Sequence, residues 1–326
     1  MKKDVLQYMV GGLLYMPALR TDIAEIIITK KYENLMSVAI CLEDSISDDA
    51  VEDAEKQLVK TLMDLERALE KEDNFFEEKD LPLIFIRCRN YEHMRHIWDI
   101  TKEYENLFRG FLLPKFDTTN MCEYKKVTVD INKEAKSTKY IMPILESKQL
   151  IDIRTRVICL GQIKEELSSI KKYVLNIRVG GNDFCNQYGL RRTVEQTIYD
   201  NNVVSNALCD IVNVFGRSYV ISGPVWEYFD NGKDDKWKEG LAKELAQDRV
   251  NGFIGKTCIH PSQLETIKNS LKVRKCDLLD AQDILESSYG KLGVSKSNSG
   301  ERMNEVKTHI NWAKKVVALA EIYGTI

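Results

Sequence analysis

The stretch Ile-Met-Pro-Ile-Leu-Glu-Ser at Ile141–Ser147 is an apolar run that stops abruptly at an acidic side chain, Glu146. A later stretch, Asn-Ile-Arg-Val-Gly-Gly-Asn-Asp-Phe at Asn176–Phe184, stops in the same way at Asp183. Such runs predict buried strands with a carboxylate just past each C-terminal end. One helix-length connection separates them, so we expect parallel neighbours about 4.8 Å apart. Two carboxylates on one rim can bind a Mg²⁺ ion and leave positions for water and substrate oxygens.

The same kind of apolar run recurs along the chain, and charged, helix-forming stretches such as Asp48–Lys71 and Lys236–Arg249 separate the runs. Eight strands are predicted: Leu13–Met16, Ser37–Leu42, Leu83–Arg87, Phe111–Leu113, Tyr140–Leu145, Val174–Val179, Tyr219–Ser222 and Gly252–Gly255. This alternation predicts an α/β protein with a (β/α)₈ TIM barrel. A doubly wound sheet is the alternative, but no Gly-x-Gly-x-x-Gly follows the first strand. Pro261 lies where a helix can start after the eighth strand.

The chain has 326 residues, which exceeds the roughly 250 residues of a plain barrel. We therefore predict a barrel over residues 1–270 and a C-terminal helical appendage over residues 271–326. The appendage is predicted from Ala281–Tyr289 and from the helical spacing of apolar residues in Glu301–Tyr323. Such an appendage is suited to a lid or to an oligomer contact.

The composition limits the classes of binding partner that we expect. The formal net charge is −3 and no stretch reaches the ~18 apolar residues of a membrane span, so neither nucleic acid nor a membrane is expected as a partner. Eight cysteines without a Cys-x-x-Cys pair predict reduced, buried thiols rather than disulfides or a zinc site. We expect a cytoplasmic protein that binds small molecules and its own copies.

Polar side chains collect at the predicted C-terminal strand ends, where barrel enzymes place their chemistry. They are Glu43, Asp44, Ser45, Arg87, Arg89, Lys115, Glu146 and Asp183. Arginine is suited to a carboxylate because its planar group donates two parallel hydrogen bonds, and Arg87 is the stronger candidate because it ends an apolar run. Helix capping is the alternative interpretation for Asp44, Glu146 and Asp183. Gly180 and Gly181 permit positive φ or a close backbone approach to a ligand.

Several segments resemble the citrate lyase β-subunit-like family, part of the HpcH/HpaI aldolase superfamily that also holds malyl-CoA and citramalyl-CoA lyases. The segments fall in the family's order and approximate spacing between Leu13 and Ser270. They are Leu14-Tyr15-Met16-Pro17, Cys41-Leu42-Glu43-Asp44-Ser45-Ile46, Ile86-Arg87, Leu113-Pro114-Lys115, Ile144-Leu145-Glu146-Ser147, Gly181-Asn182-Asp183-Phe184 and the run Gly252–Gln263. The chain departs from the family after strand one, with Pro17-Ala18 instead of Pro-Gly, and around Ile221–Val225. In this it resembles a divergent branch encoded beside tellurite-resistance and stress genes.

The resemblance implies a barrel with Mg²⁺ held by Glu146 and Asp183, and a substrate carboxylate or enolate oxygen gripped by Arg87. It implies that Glu43 and Asp44 order metal-bound water. We place four further residues on the substrate side of the site: Arg89, Lys115, Gly181 and Asn182.

The expected activity is that of a Mg²⁺-dependent carbon–carbon lyase or aldolase acting on a small 2-oxo or 2-hydroxy acid, free or as a CoA thioester, in a homo-oligomer. A metal and a fixed guanidinium stabilise the enolate charge that such a cleavage develops. Two alternatives stay open: thioester hydrolysis on the same metal site, and a non-catalytic barrel that binds a metabolite or a partner protein in a stress-response complex.

Overall fold

A computed structural model describes residues 3–71, 75–287, 293–297 and 300–326, so Tyr289 of the predicted appendage helix lies outside the described residues. Eight parallel strands form the barrel: β1 (Gly12–Pro17), β2 (Ser37–Cys41), β3 (Leu83–Arg87), β4 (Gly110–Leu113), β5 (Tyr140–Leu145), β6 (Ile177–Val179), β7 (Ile221–Ser222) and β8 (Lys256–Cys258). They lie in the order β7-β6-β5-β4-β3-β2-β1-β8. A separate antiparallel pair consists of β9 (Val294–Lys296) and β10 (Met303–Glu305).

Helices follow the strands and surround the barrel. In chain order they are α1 (Lys3–Met9), α2 (Ile23–Ile28), α3 (Val51–Leu69), α4 (Tyr91–Thr101), α5 (Met121–Glu134), α6 (Lys148–Ile151), α7 (Ile153–Ser169), α8 (Gly181–Asn186), α9 (Asn202–Phe215), α10 (Lys236–Val250), α11 (Gln263–Ser270), α12 (Lys275–Ser287) and α13 (Val306–Tyr323). Among the described residues, none of these helices combines the length and hydrophobicity needed to cross a bilayer.

The barrel closes where β7 meets β8. Gly223 and Lys256 form a parallel bridge there, and the amide of Gly223 donates to the carbonyl of Gly255 at 2.9 Å. The amide of Ile254 also donates to the carbonyl of Ile221 at 2.8 Å. The predicted (β/α)₈ barrel is therefore confirmed, and the doubly wound alternative is wrong.

The predicted eighth strand was misplaced by a few residues. Gly252 and Gly255 have φ angles of +93° and +75°, which belong to a turn and not to an extended strand. The strand follows this turn at Lys256–Cys258. Pro261 lies two residues before the first residue of α11. Its carbonyl accepts a hydrogen bond from the amide of Leu264 at 3.1 Å, so Pro261 lies just before the helix.

Two apolar layers make up most of the core. A smaller cluster fills the barrel interior with side chains such as Leu13, Phe85, Leu112 and Met142. A larger cluster lies between the strands and the surrounding helices. This inside and outside alternation follows from the period of two residues in a strand. The eight cysteines form no disulfide, as predicted, but Cys122, Cys209 and Cys276 are exposed rather than buried.

The C-terminal helices pack at the end of the barrel where the strands begin. Their apolar cluster includes Val220 and Ile254, which precede β7 and β8. The hydroxyl of Tyr323 donates to the carbonyl of Tyr8 in α1 at 2.7 Å. The described part of this extension therefore does not cover the opposite end, where the strands finish, and a lid is not what it forms. The division at residues 270 and 271 stays a prediction.

A buried charge network joins α10 to the seam between β7 and β8. The ammonium of Lys256, wholly buried, lies 2.8 Å from Glu244 Oε1 and 2.7 Å from Asp248 Oδ2. Glu244 also accepts from the guanidinium of Arg192 and from the amide of Ile198. Burial opposes the charge of Glu244, but Lys256 and Arg192 outweigh it and lower the pKa of this carboxyl.

Replacing Lys256 with methionine should destabilise the protein strongly. Removal of Lys256 takes away the cation that contacts Asp248 and one of the two cations that contact Glu244, and breaking such a buried pair costs about 3–5 kcal/mol. Urea unfolding of Lys256→Met should show this loss in the free energy of unfolding. The control is Lys243→Met, an exposed lysine of α10, the helix that carries Glu244 and Asp248, and this variant should change stability by no more than about 0.5 kcal/mol. Equal stability of the two variants would contradict the assigned role.

Candidate active site

Five strand ends bring charged side chains to one rim of the barrel. Arg87 ends β3, and the other side chains follow β2, β4, β5 and β6. Carboxyl ends of parallel strands meet at one edge, which is why residues distant in sequence converge there. The structure brings together Glu43, Asp44, Arg87, Lys115, Glu146 and Asp183.

Arg87 lies at the centre of this group. Its Nη2 is 2.6 Å from Glu43 Oε2, 2.9 Å from Asp44 Oδ2 and 3.7 Å from Glu146 Oε1. Only 7% of its side chain is exposed, and its Nε has no hydrogen-bond partner among the described residues. The guanidinium stands 5.5 Å from the ring centroid of Tyr15 on β1. Arg87 is thus a buried cation with one donor that has no partner among the described residues.

Lys115 ties two of the strand ends together. Its ammonium contacts Glu43 and lies 3.1 Å from Asp44 Oδ1, while its backbone amide donates to Glu146 Oε1 at 2.9 Å. Its φ of +49° is uncommon outside glycine and costs conformational energy. The turn after β4 therefore holds a strained conformation that lets one residue contact both an acidic loop and the end of β5.

Gly180 allows Glu146 and Asp183 to come together. A side-chain carbon at this position would lie 2.3 Å from Glu146 Oε2 and 3.0 Å from Asp183 Oδ2, which is closer than real contacts allow. The φ of Gly180 is −89°, so its role is the close approach and not a left-handed backbone. Capping was the alternative interpretation, but Ser147 and Gly180, not Glu146 and Asp183, occupy the N-cap positions of α6 and α8.

The electrostatics of the site favour a bound cation. Burial raises the pKa of Glu146 to about 8, and Asp183 adds to the rise while Arg87 opposes it. Burial and the charge of Asp44 raise the pKa of Asp183. For Arg87, burial is outweighed by Tyr15, Glu146 and Glu43, which raise its pKa. Two crowded carboxylates that resist ionisation are stabilised in the charged form by a divalent cation.

The two carboxylates fit a magnesium site that is completed by water and substrate, and not a site in which the protein supplies every ligand. Within the described ranges, no three or more His, Cys, Asp or Glu side chains are arranged to hold a metal ion. Mg²⁺ commonly takes one or two carboxylates together with water and substrate oxygens. Glu146 and Asp183, brought together at Gly180, form such a pair.

Three predicted substrate residues lie at the margin of this group. Arg89 contacts Asp48 and lies 3.5 and 3.4 Å from the carbonyls of Leu42 and Ile46, so its guanidinium holds the loop after β2. Gly181 packs against Pro224.

Asn182 accepts from Arg192 Nη2 at 3.4 Å. Neither Gly181 nor Asn182 contacts Arg87 in the described hydrogen bonds.

Two residues near the site were not predicted from the sequence to belong to it. Tyr15 was quoted as part of a motif but was given no role, and the structure places its ring beside Arg87. Arg178 on β6 is 1% exposed and donates from Nη2 to Thr257 Oγ1 at 2.8 Å, so its side chain crosses the barrel interior to β8. The sequence signal that could have indicated Arg178 was the presence of a charged residue inside an apolar strand.

The architecture defines a TIM barrel with acidic and basic side chains on the rim where its strands end. The chain belongs to the family described as the carbon–carbon bond lyases of the TIM-barrel fold, whose model matches residues 4–325. This confirms the family that the sequence motifs indicated. No curated protein is significantly similar in sequence.

Solved structures of related fold include citrate lyase proteins. CitE from Mycobacterium tuberculosis, in complex with magnesium, acetoacetate and coenzyme A, is 17% identical, with a TM-score of 0.60 over 95% of this chain and 98% of that one. A citrate lyase from Burkholderia xenovorans is 14% identical, with a TM-score of 0.70 over 97% and 92%. RipC from Yersinia pestis is 17% identical, with a TM-score of 0.53 over 81% and 95%. At these identities the likeness establishes the shared fold.

Replacing Gly180 with alanine should weaken cation binding while leaving the barrel folded. The new methyl group would occupy the space in which the Glu146 carboxylate now lies, and it therefore forces this carboxylate away from Asp183. We expect the Mg²⁺ affinity, measured by titration calorimetry, to fall by about tenfold or more. The control is Gly161→Ala in α7, where an added carbon meets nothing within 4 Å and Mg²⁺ affinity should not change. Unchanged affinity in Gly180→Ala would separate this glycine from the metal pair.

Proposed function

We infer that the protein is a Mg²⁺-dependent carbon–carbon lyase or aldolase that acts on a small 2-oxo or 2-hydroxy acid. The observation that carries this proposal is the convergence of Glu146, Asp183 and Arg87 on one rim. Membership of the carbon–carbon bond lyase family supports the reaction class. The oxaloacetate and magnesium in a related M. tuberculosis citrate lyase β subunit are in keeping with the substrate class.

Glu146 and Asp183 would hold the metal, and Arg87 would bind the acid. A bound Mg²⁺ supplies Lewis acidity that stabilises negative charge on a substrate oxygen. Arg87 orients the same substrate through its guanidinium, whose Nε has no protein partner among the described residues. Because the guanidinium is buried and fixed by Glu43 and Asp44, it needs little reorganisation to stabilise an enolate oxygen.

Glu43 and Asp44 have a supporting role in this proposal. Both carboxylates contact Arg87 and Lys115, so they fix the two cations rather than lying free for substrate. Burial raises the pKa of Glu43, although Arg87 and Lys115 oppose this rise. Their predicted contact with metal-bound water is retained as part of the proposal.

The proposal is tested by titrating the protein with pyruvate, glyoxylate and oxaloacetate, each with Mg²⁺ and with EDTA. We expect Mg²⁺-dependent binding of at least one acid. Asp183→Asn should abolish measurable Mg²⁺ binding and with it the metal-dependent binding of the acid. Binding of no acid under either condition would favour the non-catalytic alternative.

Arg87→Lys should separate acid binding from metal binding. The lysine keeps the positive charge beside Glu43 and Asp44 but loses the forked donor geometry. We expect the affinity for the 2-oxo acid to fall about tenfold, and the Mg²⁺ affinity to stay near that of the wild type. Unaltered acid affinity would remove Arg87 from the proposed substrate contacts.

Product analysis then distinguishes the two catalytic candidates. A lyase or aldolase forms or breaks a carbon–carbon bond, whereas a thioester hydrolase releases free acid and thiol. Incubation of the protein with Mg²⁺ and a malyl thioester, followed by mass spectrometry, should give glyoxylate and the acetyl thioester if cleavage occurs. Free malate and thiol would instead support hydrolysis.

A further inference from the structure

Arg178 carries a positive charge inside the barrel, and it forms no ion pair with an acidic side chain among the described residues. It is 1% exposed, and its Nε and Nη1 have no hydrogen-bond partner among the described residues. The hydroxyl of Thr257 accepts from Nη2 at 2.8 Å, and the phenol of Tyr15 is a second hydrogen-bonding neighbour of the guanidinium. The titratable groups with the largest effect on the pKa of Arg178 are the phenol of Tyr15 and the guanidinium of Arg87.

A buried unpaired charge is costly, and proteins normally retain one where a partner or a ligand supplies the opposite charge. The same part of β6 concentrates other unpaired polar atoms. Asn176, two residues earlier, is fully buried and neither atom of its amide has a partner in the described part of the chain. Buried polar groups without partners are rare enough in native proteins that each one needs an explanation.

The position of Arg178 links it to the rim. On β6 it pairs in register with Ile144 of β5, two residues before Glu146, and it stands two residues before Gly180. Tyr15 and Thr257, which lie around its guanidinium, are only partly buried. Arg87 and Arg178 therefore flank Tyr15, one at the rim and one below it.

We propose that Arg178 forms an anion subsite in the barrel interior, below the Glu146–Asp183 pair, which binds the far carboxylate of a small dicarboxylic acid. The subsite deepens the function proposed above and rests on it for the role of the near carboxylate. Arg87 holds the end of the acid that bears the 2-oxo or 2-hydroxy group. Nε and Nη1 of Arg178 are donors without a partner among the described residues, and each can donate to a carboxylate oxygen.

The subsite makes the protein selective for a diacid over a monoacid. Malate and lactate test this, because they differ only in the far carboxylate. With Mg²⁺ present, the wild-type protein should bind malate about tenfold or more tightly than lactate. In Arg178→Met the preference should disappear through weaker malate binding, and lactate affinity should change little. A folded Arg178→Met protein that keeps the preference would overturn the proposal.

A metal-free measurement keeps the subsite separate from the proposed lyase function. With EDTA and at constant ionic strength, malonate should raise the melting temperature of the wild type but not of Arg178→Met. If no acid binds with Mg²⁺ but this malonate effect is seen, the lyase proposal fails while the subsite stands. If malonate has no effect on the wild type, the subsite is overturned whatever the metal does.

Stability of the ligand-free variants distinguishes a binding role from a structural one. Removing an uncompensated buried charge should raise the melting temperature of Arg178→Met without ligand, whereas loss of a structural arginine would lower it. Arg178→Lys keeps the charge and should retain part of the malate preference. Arg217→Met, at an exposed arginine outside the barrel, is the matched control and should leave both quantities unchanged.

Discussion

Mutual repulsion among carboxylates is the constraint around which the rim of this barrel is built. Glu43, Asp44, Glu146 and Asp183 gather at neighbouring strand ends, and in a partly buried site their charges oppose one another. Arg87 offsets that repulsion from the centre, with Lys115 on the outer side. Among the described residues, no lysine or arginine pairs with both Glu146 and Asp183, although Arg87 lies 3.7 Å from Glu146, so the pair leaves a position for a further cation.

The fold supplies this arrangement through topology. Parallel strands bring every C-terminal end to the same edge, so each βα connection can contribute one polar side chain without disturbing the apolar layers below. The interior cluster of Leu13, Phe85, Leu112 and Met142 fills the lower part of the barrel. The C-terminal helices pack at that same lower end, and the rim is thereby left to the loops that follow the strands.

Much of the fold was predictable from the sequence because parallel buried strands are continuous apolar runs. The weak points were β6, β7 and β8, where the regular strands are only two or three residues long and local pattern has little to act on. Six charged rim residues were predicted from their positions after strands. The marginal place of Arg89 was not, because its partner Asp48 lies in a short 3₁₀ helix whose position depends on tertiary packing.

The interior polar residues were harder to predict for a different reason. Whether Arg178 points inward or outward depends on strand register, and an irregular segment around residues 174–176 breaks the simple alternation before it. The function of Gly180 depends on two side chains from other parts of the chain, so no local rule distinguishes it from a turn glycine. In the sequence Lys256 was only one residue of the family motif Gly252–Gln263. Its ion pairs with residues of α10 are visible only in the structure.

That pairing has a consequence for how the barrel is held closed. Strand β7 has two residues, and few backbone hydrogen bonds join it to β8, so the main chain alone closes this seam weakly. The side chains of Lys256, Glu244 and Asp248 add a buried electrostatic contact that joins β8 to α10 beside this seam. Stability is not uniform across a fold, and at this seam it depends on a buried electrostatic contact as well as on the backbone hydrogen bonds of the sheet.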